Sequence, residues 1–444
     1  MDLTSTLHGL FGLGFVIFLA FLFSNNKRLV PWRMVLIGVL MQFAFAFFVL
    51  KLQFGRDLFG FISRAFVTLL DFTGQGASFV FGPLALGPGM KGSMGFFFAF
   101  QVLPTIIFFA AITGVLYHLG VMQKVVQGIA WIMARLLGTS GAESLSVAAN
   151  VFIGQTEAPL VIRPYIATMT QSELLTMMVG GMAHIAGGVM AAYVAMLGAT
   201  FSAARGITLE AAQVQFAGHL LAASVMSAPA TMIVAKILIP ETGAPQTKGT
   251  VRIQVERTHA NVIDAAASGA SDGVRLAINV GAMLIAFIAL IAMINAILGG
   301  LGDLTGINTV LVANYGKGLS LELLLGLGLQ FVAFAIGVPW ADAMKVGSLM
   351  GIKVVANEFV AYKQLADLIA AGGLSYKAIT ISTYALCGFA NFASIAIQIG
   401  GIGPLAENRR RDIASLGLRA VLGGTIATWM TASIAGILMG NSGR

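Results

Sequence analysis

Two carboxylates stand in apolar surroundings, and they are the groups with which this chain could do chemistry. Glu157 lies in Gly154-Gln155-Thr156-Glu157-Ala158-Pro159-Leu160, and Glu358 in Asn357-Glu358-Phe359-Val360-Ala361-Tyr362. An ionisable side chain at bilayer depth costs about 3 kcal/mol or more, so it is kept for function and faces a polar cavity. Around Glu157, the side chains of Asn150, Gln155 and Thr156 both donate and accept hydrogen bonds, whereas an ionised carboxylate only accepts. With no Arg or Lys at this tip, the set suits a neutral polar ligand with mixed donors and acceptors, not an anion. The plain alternative is a hydrogen-bonded cluster between packed helices.

The second acidic motif has partners further on. Asn391 and Ser394, three residues apart, share a helical face. A carboxylate accepting two hydroxyl protons is a natural clamp for a sugar diol, and Phe389 offers an aromatic surface or simple packing. After the first motif, Gly187-Gly188 interrupts an apolar segment and is expected to free backbone carbonyls. With carbonyls near Asn150 and Ile153 these could form an all-oxygen cation site. His184, next to this break, reads as a proton relay, a ligand or a packing residue. Metal clusters, phosphate loops and nucleophile elbows are missing from the sequence, which excludes the common enzyme classes. Without a nucleotide-binding motif, any coupling must come from an ion gradient.

The elements that must position these residues are membrane helices. Apolar residues make up 58% of the chain, charged residues 10%, and mean hydropathy is +0.90. Spans are expected at about 8–24, 34–52, 96–119, 174–199, 214–239, 275–299, 377–401 and 416–439. The first has no basic leader and no small-residue cleavage site, so it reads as a retained span. The net charge of +8 sits in short loops: Lys27-Arg28 with Arg33, then Arg252, Arg257 and Arg275, then Arg409-Arg410-Arg411. One orientation places all three clusters in the cytoplasm and both termini outside, so the charge reports topology and no nucleic-acid partner is implied. The lone Cys387 reads as packing.

Segments 54–80 and 120–137 read as interfacial amphipathic helices. Segments 140–169 and 340–372 read as re-entrant hairpins broken at the acidic motifs, which places irregular backbone where it lines a cavity. The expected fold is therefore an all-α polytopic membrane protein of about eight transmembrane helices and two opposed hairpins in an inverted repeat. Its expected divisions are N-terminal scaffold and interfacial helices (1–137), a first transport repeat (138–240), a cytoplasmic link with a scaffold helix and an external interfacial segment (241–339), and a second transport repeat (340–444).

The chain resembles the concentrative nucleoside transporter family over nearly its full length. The resemblance is carried by the two acidic motifs and by Cys387-Gly388-Phe389-Ala390-Asn391-Phe392-Ala393-Ser394, followed by Ile399-Gly400-Gly401-Ile402-Gly403. It implies a homotrimer in a bacterial inner membrane, surrounded by lipid, that takes up nucleosides such as uridine, cytidine or adenosine by elevator-like movement. It implies that Gln155, Thr156, Glu157 and Val189 contact the nucleobase, and that Glu358, Asn391 and Ser394 hold the ribose near Phe389. It implies a sodium site at Asn150, Ile153, His184 and Ile185, mostly through backbone oxygens. Ile153 replaces the Val common there, Gly188 a common Ser, and His184 the usual Ser or Thr. A neutral imidazole is a poor ligand for a hard cation, so a proton stands as the alternative coupling ion. A nucleoside-sensing protein or a pore is the non-concentrative alternative.

Overall fold

The computed structural model describes residues 3–87, 90–249 and 259–439, and among these no strand forms. Arg252 and Arg257 lie outside the described residues. The N-terminal helices are α1 (Leu3–Leu22), α2 (Trp32–Leu50), α3 (Gln53–Phe81), α4 (Phe98–Gln101) and α5 (Leu103–His118). Next come α6 (Val121–Leu137), α7 (Gly141–Asn150), α8 (Arg163–Ile166), α9 (Gln171–Ala183), α10 (Gly187–Arg205) and α11 (Leu209–Leu238). Helices α12 (Val262–Leu304), α13 (Ile307–Tyr315) and α14 (Leu321–Ala335) follow. The chain continues through α15 (Trp340–Val355), α16 (Glu358–Ala370), α17 (Tyr376–Ala385), α18 (Phe392–Ile402) and α19 (Arg410–Met439).

Among the described residues six helical stretches are long and apolar enough to cross a membrane: α2, α4–α5, α9–α10, α11, α12 and α19 with its preceding turn. Helix α1 is a shorter apolar helix. The expected span 377–401 is present as the two short helices α17 and α18, so neither half alone has spanning length. The expected span 275–299 belongs to a helix of 43 residues. At 1.5 Å per residue it is about 65 Å long, well beyond the hydrocarbon core.

Local chemistry explains where the helices begin. Ser140 and Glu143 form a capping box at α7, and Thr170 and Glu173 form another at α9. Asn357, Ser375 and Asn391 cap α16, α17 and α18 with side-chain oxygens. These caps satisfy the amides that each helix start leaves without partners, which matters most where water is scarce.

The last helix of each repeat is central. In α11 and α19, 89% and 94% of the most apolar stretch is buried, against 17% in α12. The exposed apolar surface of α12 is the kind a bilayer or another subunit covers. Helix α14 turns through 118° into α15 and packs along it.

The hairpins differ from each other. The second is two true helices, α15 and α16, meeting at Ala356–Asn357. The first has a helical entry limb, α7, but its return is a 3-10 segment at Ala158–Ile162 followed by the single turn α8. Pro159 in that segment and Pro164 in α8 each remove an amide donor, which favours short irregular turns over a continuous α-helix.

Candidate functional site

The first helix break lies three residues before the expected glycines. His184 ends α9, Ala186 caps α10, and Gly187 is already its first residue. The freed carbonyls are therefore those of residues 184–186. The glycines serve packing instead: a Cβ on Gly188 would lie 3.3 Å from the Ile106 carbonyl of α5. In the second break Gly388 has φ +143°, and a Cβ there would meet the Met182 carbonyl at 2.7 Å and Ala183. The two breaks thus cross in contact, and only glycine permits that approach.

The tips and breaks converge on one cavity of about 1210 Å³. Pockets for small ligands usually measure about 300–1,000 Å³, so this cavity is large enough for one. Gln155, Thr156, Glu157 and Val189 line it from the first repeat. Glu358, Phe389, Asn391 and Ser394 line it from the second. Further polar residues also line it, among them Arg163, His259, Asp272 and Arg275.

The inner wall is a connected network. Asn391 donates to Glu358 Oε2 at 3.0 Å, and its own Oδ1 accepts the Ser394 amide at 2.8 Å. Gln155 Nε2 donates to Ser394 Oγ at 3.1 Å, which joins the two repeats. Glu358 Oε1 accepts from the Tyr193 hydroxyl at 3.2 Å. Glu358, Asn391 and Ser394 are all buried, so their geometry is fixed before any ligand arrives. Glu157 is different: it is exposed, and its carboxylate folds over Gly154, where a Cβ would collide with it.

Asn150, His184 and Ile185 do not line the cavity; they are buried behind it, while Ile153 does line it. The Asn150 amide donates to the Ser146 carbonyl at 3.0 Å, and its Oδ1 is buried without a hydrogen-bond partner. His184 Nδ1 lies 2.8 Å from the Gly180 carbonyl. A carbonyl only accepts, so Nδ1 carries the hydrogen in that bond and Nε2, also buried without a partner, is directed elsewhere. An unsatisfied buried amide oxygen is a donor that a hard cation would accept. Among the described residues no cluster of three or more His, Cys, Asp or Glu could hold a metal ion.

Two further buried residues support the site without lining the cavity. Tyr193 carries no local sequence signal, because its hydroxyl finds Glu358 only through the packing of α10 on α16. Lys353 is buried in the second hairpin, donating to the Ala385 carbonyl at 2.9 Å and Thr428 Oγ1 at 3.1 Å. The cost argument that singles out Glu157 and Glu358 applies equally to this lysine.

Two inverted repeats, each a hairpin and a broken helix, that meet at one buried polar wall define a secondary-transporter architecture. The chain belongs to the concentrative, Na+-dependent nucleoside transporter family, which comprises transporters and not enzymes. Family models described as "Na+ dependent nucleoside transporter" match residues 11–84 for the N-terminus and 219–436 for the C-terminus, and "Nucleoside recognition" matches 99–200. Among its relatives, an uncharacterized transporter, YutK, of Bacillus subtilis is 46% identical over 98% of this chain and 100% of its own length. The nucleoside permease NupC of Helicobacter pylori is 39% identical over 98% of each chain. A solved structure of CNTnw in an inward-facing, substrate-bound state is 42% identical, with a TM-score of 0.87 over 99% of each chain.

Proposed function

We propose that this protein is a sodium-coupled nucleoside symporter that imports nucleosides such as uridine, cytidine or adenosine by an elevator form of alternating access. The observation that carries this reading is the preorganised wall of Glu358, Asn391, Ser394 and Gln155 at the inner end of an open cavity. Glu358 has two carboxylate oxygens and about four acceptor sites, of which Tyr193 and Asn391 use two. The rest can accept the two hydroxyl protons of a ribose. Gln155, Thr156, Glu157 and Val189, from the first repeat, are the contacts for the base, with Gln155 also bonded to the ribose wall through Ser394, and Phe389 is an apolar face for the ligand.

Sodium is the coupling ion of this reading, held by Asn150 Oδ1 and backbone oxygens of Ile153, His184 and Ile185. Family membership and the unsatisfied Asn150 oxygen support it. The second reading is proton coupling through His184, supported by its unpartnered Nε2. The positive-inside rule puts the cavity mouth, with Arg163 and Arg275, in the cytoplasm and both termini outside. The protein then works as a homotrimer in a bacterial inner membrane.

Counterflow and uptake of radiolabelled uridine and adenosine into proteoliposomes, with sodium and pH gradients imposed separately, test this function. Uptake against a concentration gradient is expected with sodium. Equilibration alone would indicate a pore, and binding without uptake a nucleoside sensor.

A further inference from the structure

Lys353 is only 1% exposed and does not line the cavity. It sits near the end of α15, where hairpin two approaches its tip. Its ammonium donates to the Ala385 carbonyl, in the last turn of α17, and to the Thr428 hydroxyl of α19. The C-terminal turn of a helix presents partly negative carbonyls, which favour a cation. Among the described residues Lys353 forms no salt bridge. It lies five residues before Glu358, across the hairpin tip, and ties α15, α17 and α19 together.

Comparison of the repeats gives this position a meaning. Thr170 caps α9 and Ser375 caps α17, while α10 starts at Gly187 and α18 at Phe392. Both pairs differ by 205 residues (375 − 170 and 392 − 187), so the broken helices share one register. In that register Ala385 corresponds to Gly180. The Gly180 carbonyl accepts from His184 Nδ1, and a Cβ on Gly180 would lie 3.2 Å from the Asn150 amide nitrogen. In the first repeat this carbonyl is therefore taken by a ring N–H. In the second it is taken by a cation attached to the chain.

We propose that the Lys353 ammonium is a fixed cation that does, in the second repeat, what the His184 ring does in the first: it satisfies the carbonyl at the break. It is a positioning residue: it holds the α17–α18 break that carries Asn391 and Ser394, and it balances the charge of Glu358. The proposal rests on the nucleoside-symporter reading of the site.

The test uses the full-length protein in detergent, with uridine as ligand and sodium present. Calorimetric titration and thermal melting are measured for Lys353→Met, Lys353→Arg, Glu358→Gln and the Lys353→Met/Glu358→Gln pair. Lys353→Met keeps much of the length and loses the charge, so the uridine Kd should rise about tenfold or more, with Lys353→Arg retaining more affinity. In the Glu358→Gln background the same lysine change should lower the melting temperature far less than in the wild type. An unchanged Kd in Lys353→Met, or an equal melting loss in both backgrounds, overturns the proposal. If Lys353→Met does not fold, Thr428→Val keeps the charge and removes one anchor; it should weaken uridine binding several-fold, and wild-type affinity would overturn the proposal. If the wild type itself binds no uridine, the functional reading has failed, while the melting cycle still reports whether Lys353 and Glu358 are coupled.

Discussion

Gln155 and Ser394 are 239 residues apart in the chain and share a hydrogen bond of 3.1 Å in the buried wall of the cavity. That bond is the direct polar link between the first hairpin and the second broken helix. A ligand that engages both groups would be held by both repeats at once, which is what a carrier needs if its two halves are to move together. The bond also makes Gln155 part of the ribose side of the site, although it is assigned above to the base.

The sugar clamp is tested at Glu358. Glu358→Gln keeps the shape and removes the charge. Hydrogen bonds to a charged group contribute about 1.5–3 kcal/mol, so uridine affinity should fall about tenfold or more. Competition assays on the wild type should show free uracil, which lacks the ribose, to be a poor competitor. Equal competition by uracil and uridine would remove the clamp.

Base selection is tested at the first tip. Gln155→Ala and Thr156→Ala each remove a directional contact of about 1 kcal/mol. Relative inhibition by uridine, cytidine and adenosine should be reordered, with the melting temperature little changed. A lowered melting temperature with the original ranking would mean that these side chains only pack.

The coupling ion is tested at His184. Uridine uptake should rise with sodium at fixed pH, and His184→Ser, which supplies a hydroxyl oxygen, should steepen that dependence. Concentrative uptake in sodium-free buffer, driven by a proton gradient and lost in His184→Ala, would assign the coupling to the proton.

Acid stability is tested at Glu241, in the segment after α11. Burial alone would push its carboxyl up, but Lys236, the Gly243 amide and the Thr170 hydroxyl together hold it below the ordinary glutamate range. A depressed carboxyl contributes stability that is present above the unfolded value of about 4.3 and is lost as pH falls through the lower folded value. Melting temperature against pH should therefore show an acid limb below about pH 4.3 that is shallower in Glu241→Gln. Limbs of equal slope would show that Glu241 contributes nothing to acid stability.

The crossing of the two breaks is tested at Gly388. Its φ of +143° and the Met182 carbonyl 2.7 Å from a built Cβ leave no room for a side chain. Gly388→Ala should destabilise by about 1–3 kcal/mol, read as a lower melting temperature. A wild-type melting temperature would mean that the two broken helices can separate without cost.

The sequence by itself determined the membrane class, the helical repeats and the chemistry at the tips. Those features are local: apolar runs, capping residues and an isolated carboxylate carry their cost wherever they sit. Glu157, Glu358, Asn391 and Ser394 could be singled out on that ground, and they line one cavity with the other proposed substrate contacts. Lys353 was legible by the same rule. Tertiary structure decided what each buried group is paired with, because hydrogen bonds at midplane must be completed by whichever helix packs there. It is packing that puts Tyr193 on Glu358, Gln155 on Ser394, and Lys353 on the carbonyl of Ala385. It also set the first break at residues 184–186 and not at Gly187-Gly188, where Gly188 instead lies against the Ile106 carbonyl of α5; close approach between helices is written in three dimensions and not in local sequence.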